Sequence, residues 1–208
     1  MVVGFNDLLY FFKILYRRKW WIMGLSFIAA LLTVIFLFFK KPFYLSIAQY
    51  STGFTAEKVR MIDGTSAVDL FGADVKFNNV IETFKSPRVV SMISYRLLLH
   101  DLITPSKAYR KLSEKDMNTP IYKLVNRDSA ILRLSGKLQR SELLRSDDEK
   151  ERILIEFLKL YKYDYNNLMT QMSIDRVGST DYLDIVYRSE NPELSALVVN
   201  SMGDEFLN

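Results

Sequence analysis

The stretch "MTQMSIDRVGSTDYLDIVYRSENPELSALVVN", Met169–Asn200, changes its period twice. Up to Met172 it continues a helical stripe. "MTQMSIDR" and "DYLDIVYRS" then read as two extended runs separated by "VGST". In the second run Leu183, Ile185 and Tyr187 alternate against Tyr182, Asp184 and Val186, the pattern of a half-buried strand, so an antiparallel hairpin is expected. At "SENPELSALVVN" the pattern becomes helical again. Asn191 suits an N-cap, Pro192 the first helical position and Glu193 the positive end of the dipole, while Leu194, Leu197 and Val198 share a face.

Upstream of the hairpin, Ser146 and Glu149 have capping-box spacing. Leu154, Leu158, Tyr161, Tyr165, Leu168 and Met172 follow at steps of three and four, which predicts one continuous helix of about five turns. Further back, "FNNVIETFKSPRVVSMISYRLLLHDL" gives two helical pieces. Asn78 or Asn79 would cap the first, carrying Val80, Ile81 and Phe84; Ser86 would cap the second, with Pro87 at its first position and Val89, Val90, Ile93 and Leu97 facing inward. Thr104 to Ser129 is polar and irregular and reads as loop with short helical turns. "AILRLSGK" is either a short strand ending at Gly136 or the end of a helix. "FYLSIAQYSTGFT" reads as a strand that Gly53 ends or bulges, and Ala56 to Ala73 as a partly ordered loop.

The strongest single signal lies near the N-terminus, in "RRKWWIMGLSFIAALLTVIFLFFKKPF". Trp20 to Phe39 carries no charge and as a helix would rise roughly 30 Å, the thickness of a hydrocarbon core. The run is longer than the apolar region of a secretory signal, and no small-x-small cleavage site follows it. Trp20 and Trp21 fall at one interface, and Lys40 and Lys41 can snorkel at the other. Lys13, Arg17, Arg18 and Lys19 precede the span against Lys40 and Lys41 after it, which favours a cytoplasmic N-terminus and an exported remainder. "FNDLLYFFKILYRRK" before the span is either an interfacial helix or an early start of the membrane helix. The expected organisation is a cytoplasmic segment over 1–19, a transmembrane helix over 20–39 and a periplasmic domain over 42–208. The fold class is α+β: one N-terminal transmembrane helix, then a small mixed sheet with helices on one face.

Several kinds of chemistry are excluded by composition. The chain has no cysteine, so disulfides and thiolate sites are ruled out, and 49% hydrophobic residues suffice for a core. The net charge of +4, with bases and acids interleaved, does not point to nucleic acid. His100 is the only histidine and reads as a helix-end residue rather than a ligand or catalyst. Asp63, Asp69 and Asp74 lack the spacing of a calcium loop, and Asp147 and Asp148 suit the start of a helix better than acid–base work. The Gly136–Lys137 pair has Ile131 where the first glycine of a phosphate loop belongs. No catalytic residue, cofactor or metal site is expected.

Taken together, "LYRRKWWIM" entering the first membrane helix, the strand after it, "VIETFKSPRVV" and "STDYLDIVYRSENPELSALVVNSM" resemble the chain length determinant family, also called polysaccharide co-polymerases. The shared marks are Lys85-Ser86 in the first helix after the strand, and Asn191-Pro192 followed by Ala196. The resemblance implies a bacterial inner-membrane protein that sets how long a surface polysaccharide (O-antigen, capsule or exopolysaccharide) grows, or aids its export. It implies a homo-oligomer anchored in membrane lipid beside a polymerase or export machinery, in contact with the polysaccharide itself, with no active site of its own. Related proteins add a tyrosine autokinase domain. The family continues its last helix into a helical hairpin and a second span, so the natural chain is expected to run past Asn208. The stretch from Asp101 to Arg140 has no clear family counterpart.

Two other classes bear on the same pattern. An extracytoplasmic sensor domain of a membrane receptor would show the same basic N-terminus, span and α+β domain. A membrane-tethered glycan-active enzyme would need a pair of acid–base carboxylates, and no candidate pair stands out.

Overall fold

The computed structural model describes residues 13, 16–39, 42–53, 70–178 and 180–207. The chain divides into two compact units, Met1–Pro42 and Phe43–Asn208. In the first, helix α1, Lys19–Phe39, has a mean hydropathy of 2.6 in its most apolar window and no buried residue, and it is long and apolar enough to cross a membrane. Twenty-one residues at about 1.5 Å each give roughly 32 Å.

The second unit is built on a three-stranded sheet of β1, Tyr44–Ser51; β2, Met172–Arg176; and β3, Tyr182–Ser189, in the order β1-β3-β2. Both pairings are antiparallel, with Tyr50 opposite Leu183 and Ile174 opposite Ile185. The α+β class and the small sheet are as expected, but the sheet is not mixed. The hairpin fixes β2 against β3, and β1 joins the other edge of β3 in the opposite direction, so no parallel pair arises. Leu183, Ile185, Tyr187 and Ile174 are buried on one face, against the helices.

Helix α2, Leu70–Phe84, and α3, Pro87–Ile103, meet at the expected break. Ser86 is extended and its Oγ accepts from Val89 N at 3.4 Å, with Pro87 at the first position. Val89, Val90, Ile93 and Leu97 are all buried, as their spacing predicts. Asn78 and Asn79 do not cap α2. They lie inside it, because Phe77, Val80, Ile81 and Phe84 form a stripe packed into the core that outweighs the cap preference of asparagine. The expected loop from Ala56 to Ala73 falls outside the described residues as far as residue 69, and from Leu70 onward the chain is helical.

The middle of the chain holds a 3₁₀ turn, Pro105–Lys107, then α4, Glu114–Met117, α5, Pro120–Leu124, and α6, Arg127–Arg140. "AILRLSGK" is therefore helical, capped by Asn126 Oδ1 accepting from Ser129 N at 3.1 Å. Buried Ala130 and Leu134 turn toward the core.

The long helix predicted up to Met172 is instead two: α7, Glu149–Leu160, and α8, Tyr165–Thr170. Its N-cap is Asp148, not Ser146, accepting from Lys150 N at 2.8 Å. Lys162 adopts φ +56°, and the bonds Tyr163 N to Leu158 O and Lys162 N to Lys159 O close a Schellman turn. The last helix, α9, Pro192–Leu207, lies across β1 and β3 and contacts α3. Tyr50 donates to Val199 O at 2.9 Å, and a Cβ on Gly203 would collide with the Tyr50 ring.

Candidate functional site

The turn around Asn191 is a latch that joins four parts of the domain. Asn191 Oδ1 accepts from Glu193 N at 2.9 Å and Leu194 N at 3.4 Å, capping α9, while its Nδ2 donates to Tyr109 O at 3.3 Å. Ser189 Oγ, at the end of β3, lies 2.7 Å from Ser195 Oγ, which also reaches Tyr44 O at 3.2 Å. Both serines are buried. The start of β1, the end of β3, the loop at Tyr109 and the first turn of α9 are thereby held together. Sequence reading identifies the cap but not the two serines, whose spacing of six residues signals nothing until strand and helix fold back.

Beside the latch lies a polar hub that the sequence does not announce. The Asp101 carboxylate, whose side chain is fully buried, accepts from Tyr109 N at 2.8 Å, Arg110 N at 3.2 Å and Tyr163 Oη at 2.6 Å. Arg110 donates to Tyr161 O at 3.1 Å, Lys162 O at 2.5 Å and Gln171 Oε1 at 3.0 Å, and its guanidinium lies 5.0 Å from the Tyr163 ring centre. Tyr187 donates to the same Gln171 oxygen at 3.0 Å. Burial pushes the Tyr187 hydroxyl up to about 12, opposed by the Arg110 charge. Burial, reinforced by the neighbouring Tyr122 and Asp101, does the same for Tyr161. Tyr163 is raised further, by burial and then by the adjacent Asp101 charge. These groups saturate one another, so the hub fixes the Schellman turn and the loop after α3 in place.

His100 stacks on Tyr109, ring centres 4.0 Å apart, with Nδ1 3.2 Å from Asp101 Oδ1. It is the helix-end residue its position suggests. Asp74 pairs with Arg176 at 2.8 Å; Asp63 and Asp69 lie outside the described residues. Asp147 pairs with Arg145, while Asp148 caps α7. Among the described residues no three metal-ligating side chains come together.

Lys137 lines an open depression of about 590 Å³ with Arg88, Ser141, Glu142, Leu143 and Arg145. Its Nζ is committed to Glu151 at 3.0 Å, Leu143 O at 3.2 Å and Glu142 at 3.5 Å, and the Glu151 bond holds its pKa above the usual lysine value. Glu142 is lowered by its bond to Arg140. The depression therefore offers mostly groups that are already paired. Lys85 O accepts from Tyr165 Oη at 2.9 Å, which ties the Lys85-Ser86 break to α8.

An apolar helix of spanning length joined to an α+β domain is consistent with a membrane protein. The comparison adds a likeness: residues 6–97 match the family model Wzz, chain length determinant protein, and over this stretch the chain is similar to that family. The matched stretch takes in α1, β1, α2 and α3 as far as Leu97. It supports, in general terms, a role as a polysaccharide co-polymerase in the membrane. No curated protein and no solved structure matches the chain.

Proposed function

We propose that the protein is a non-catalytic co-polymerase of the bacterial inner membrane, with its N-terminus in the cytoplasm and the domain 42–208 in the periplasm. It sets the chain length of a surface polysaccharide (O-antigen, capsule or exopolysaccharide) or aids its export. It works as a homo-oligomer beside the polymerase or export machinery, offering surface to the polymer rather than reactive groups. The observation that carries this reading is the match over residues 6–97, since it joins the apolar helix and the first half of the domain in one family unit. Outside the match, the resemblance of Asn191-Pro192 to the family's strand–turn–helix pattern supports it, and in the structure Asn191 caps α9 after β3.

Deleting the gene and resolving the surface polysaccharide on a gel tests the proposal. A shift or broadening of the length distribution, or a loss of polymer, is expected, and the wild-type chain should restore it. An unchanged distribution and amount would overturn it.

A further inference from the structure

The outer face of the sheet, opposite the helices, is divided along its length. At the end where β1 begins, Phe43, Leu45 and Ile47 are 56%, 59% and 60% exposed. Val186 lies beside Ile47 and Arg188 beside Leu45, with the Arg188 guanidinium 4.4 Å over the Phe43 ring. At the other end the same face carries Gln49 bonded to Asp184 at 2.9 Å, with Asp175 opposite Asp184. Ordinary half-exposed strands put such apolar residues inward; here Ser46, Ala48 and Tyr50 take the inner positions and the larger aliphatic residues face out. An apolar end, an arginine at its margin and an acidic far end suit a boundary between lipid and water.

Covalent geometry says which boundary. Four residue steps separate Phe39, the last of α1, from Phe43, so their Cα atoms lie at most about 14 Å apart. Lys40 and Lys41 occupy the intervening chain. The headgroup zone on each side of a bilayer is roughly 5–8 Å deep, so this end of β1 cannot leave its vicinity.

We propose that Phe43, Leu45, Ile47 and Val186 form a lipid-contacting face that rests in the interfacial zone of the bilayer, with Arg188 meeting headgroup phosphates. The proposal depends on α1 being a membrane span. The polarity gradient gives the direction: the apolar end dips toward lipid, and Gln49, Asp175 and Asp184 stay in water. The partner is the lipid surface itself, with phosphatidylglycerol as the anionic component that the arginine would favour.

The cysteine-free chain makes the test clean. Single cysteines are placed in the full chain at Leu45, Ile47, Gln49, Asp175, Ile28 and Leu31, and each is nitroxide-labelled. The proteins are reconstituted in phosphatidylethanolamine–phosphatidylglycerol vesicles, and collision with oxygen is compared with collision with a water-soluble nickel chelate. Leu45 and Ile47 are exposed, so labels there leave the core intact, which circular dichroism checks. The oxygen-to-nickel ratio at 45 and 47 should fall below that at 28 and 31, which lie at mid-span, and exceed that at 49 and 175 several-fold. Water-like values at 45 and 47, with lipid-like values at 28 and 31, would overturn the lipid face and leave the span intact. Protection from both reagents, with spin broadening between labelled copies, would assign the face to a second copy and also overturn the proposal. Water-like values at 28 and 31 as well would bring down the span reading, and this inference with it.

Discussion

Asp101 carries more of the domain's polar core than any other side chain described. Its carboxylate answers two backbone amides and the Tyr163 hydroxyl with no solvent to replace them. Asp101→Asn keeps the shape but sets an amide N–H against existing donors, which should cost about 3 kcal/mol in urea unfolding of the detergent-solubilised chain. His100→Gln, by contrast, removes only a stacked ring and one of several donors, and should cost under about 1 kcal/mol. Comparable costs for the two would show the histidine to be structural in a way its position does not suggest.

The tyrosines add a pH signature. Folding raises Tyr161 and Tyr187 from about 10 to about 12, so the folded state holds their protons more tightly than the unfolded chain does. Their contribution is complete below pH 10 and is lost as pH rises toward 12. Stability should therefore fall across that window, and the tyrosinate absorbance contributed by Tyr161 and Tyr187, read as the difference from their Tyr→Phe variants, should rise in step with unfolding rather than ahead of it.

Among the elements, α9 shows how close packing sets a sequence requirement. Gly203 sits where the Tyr50 ring crosses the helix, and a methyl group there would overlap the ring. Gly203→Ala gains up to about 1 kcal/mol of helix propensity but should lose about 2–3 kcal/mol to overpacking, a net destabilisation in thermal melts. Combining it with Tyr50→Leu, which vacates the overlap, should cost less than the sum of the two single changes. The elements also show what periodicity can convey. The hairpin, the inward face of α3 and the Ser86 and Asn191 caps were legible because each rests on local spacing. The stripe from Leu154 to Met172 was misleading because Leu154, Leu158 and Leu168 do bury into one core, while the turn between them depends on Lys162 in a left-handed conformation. No residue type marks that turn. It is held by Arg110, some fifty residues away in sequence. The outward apolar face of β1 was equally illegible, since alternation gives two faces without saying which one meets helices.

At the scale of the whole molecule, the proposed orientation rests on charge. Lys13, Arg17, Arg18 and Lys19 stand before the apolar run, and Lys40 and Lys41 stand after it. A difference of two basic residues is enough to bias insertion, because Lys and Arg close to a span resist translocation whereas acids count for little. A cysteine at Asp175, on the exposed part of β2, should react with a membrane-impermeant maleimide in cells with a permeabilised outer membrane. One at Lys13 should react only after lysis. Replacing Arg17, Arg18 and Lys19 with glutamine leaves Lys13 against Lys40 and Lys41 and reverses the bias. A measurable fraction of that variant should then label at position 13 in unlysed cells and lose the ability to restore polymer length. Labelling at 175 only after lysis in the unaltered chain would place the domain in the cytoplasm. The polymer-facing role proposed for it would then have no route to its substrate.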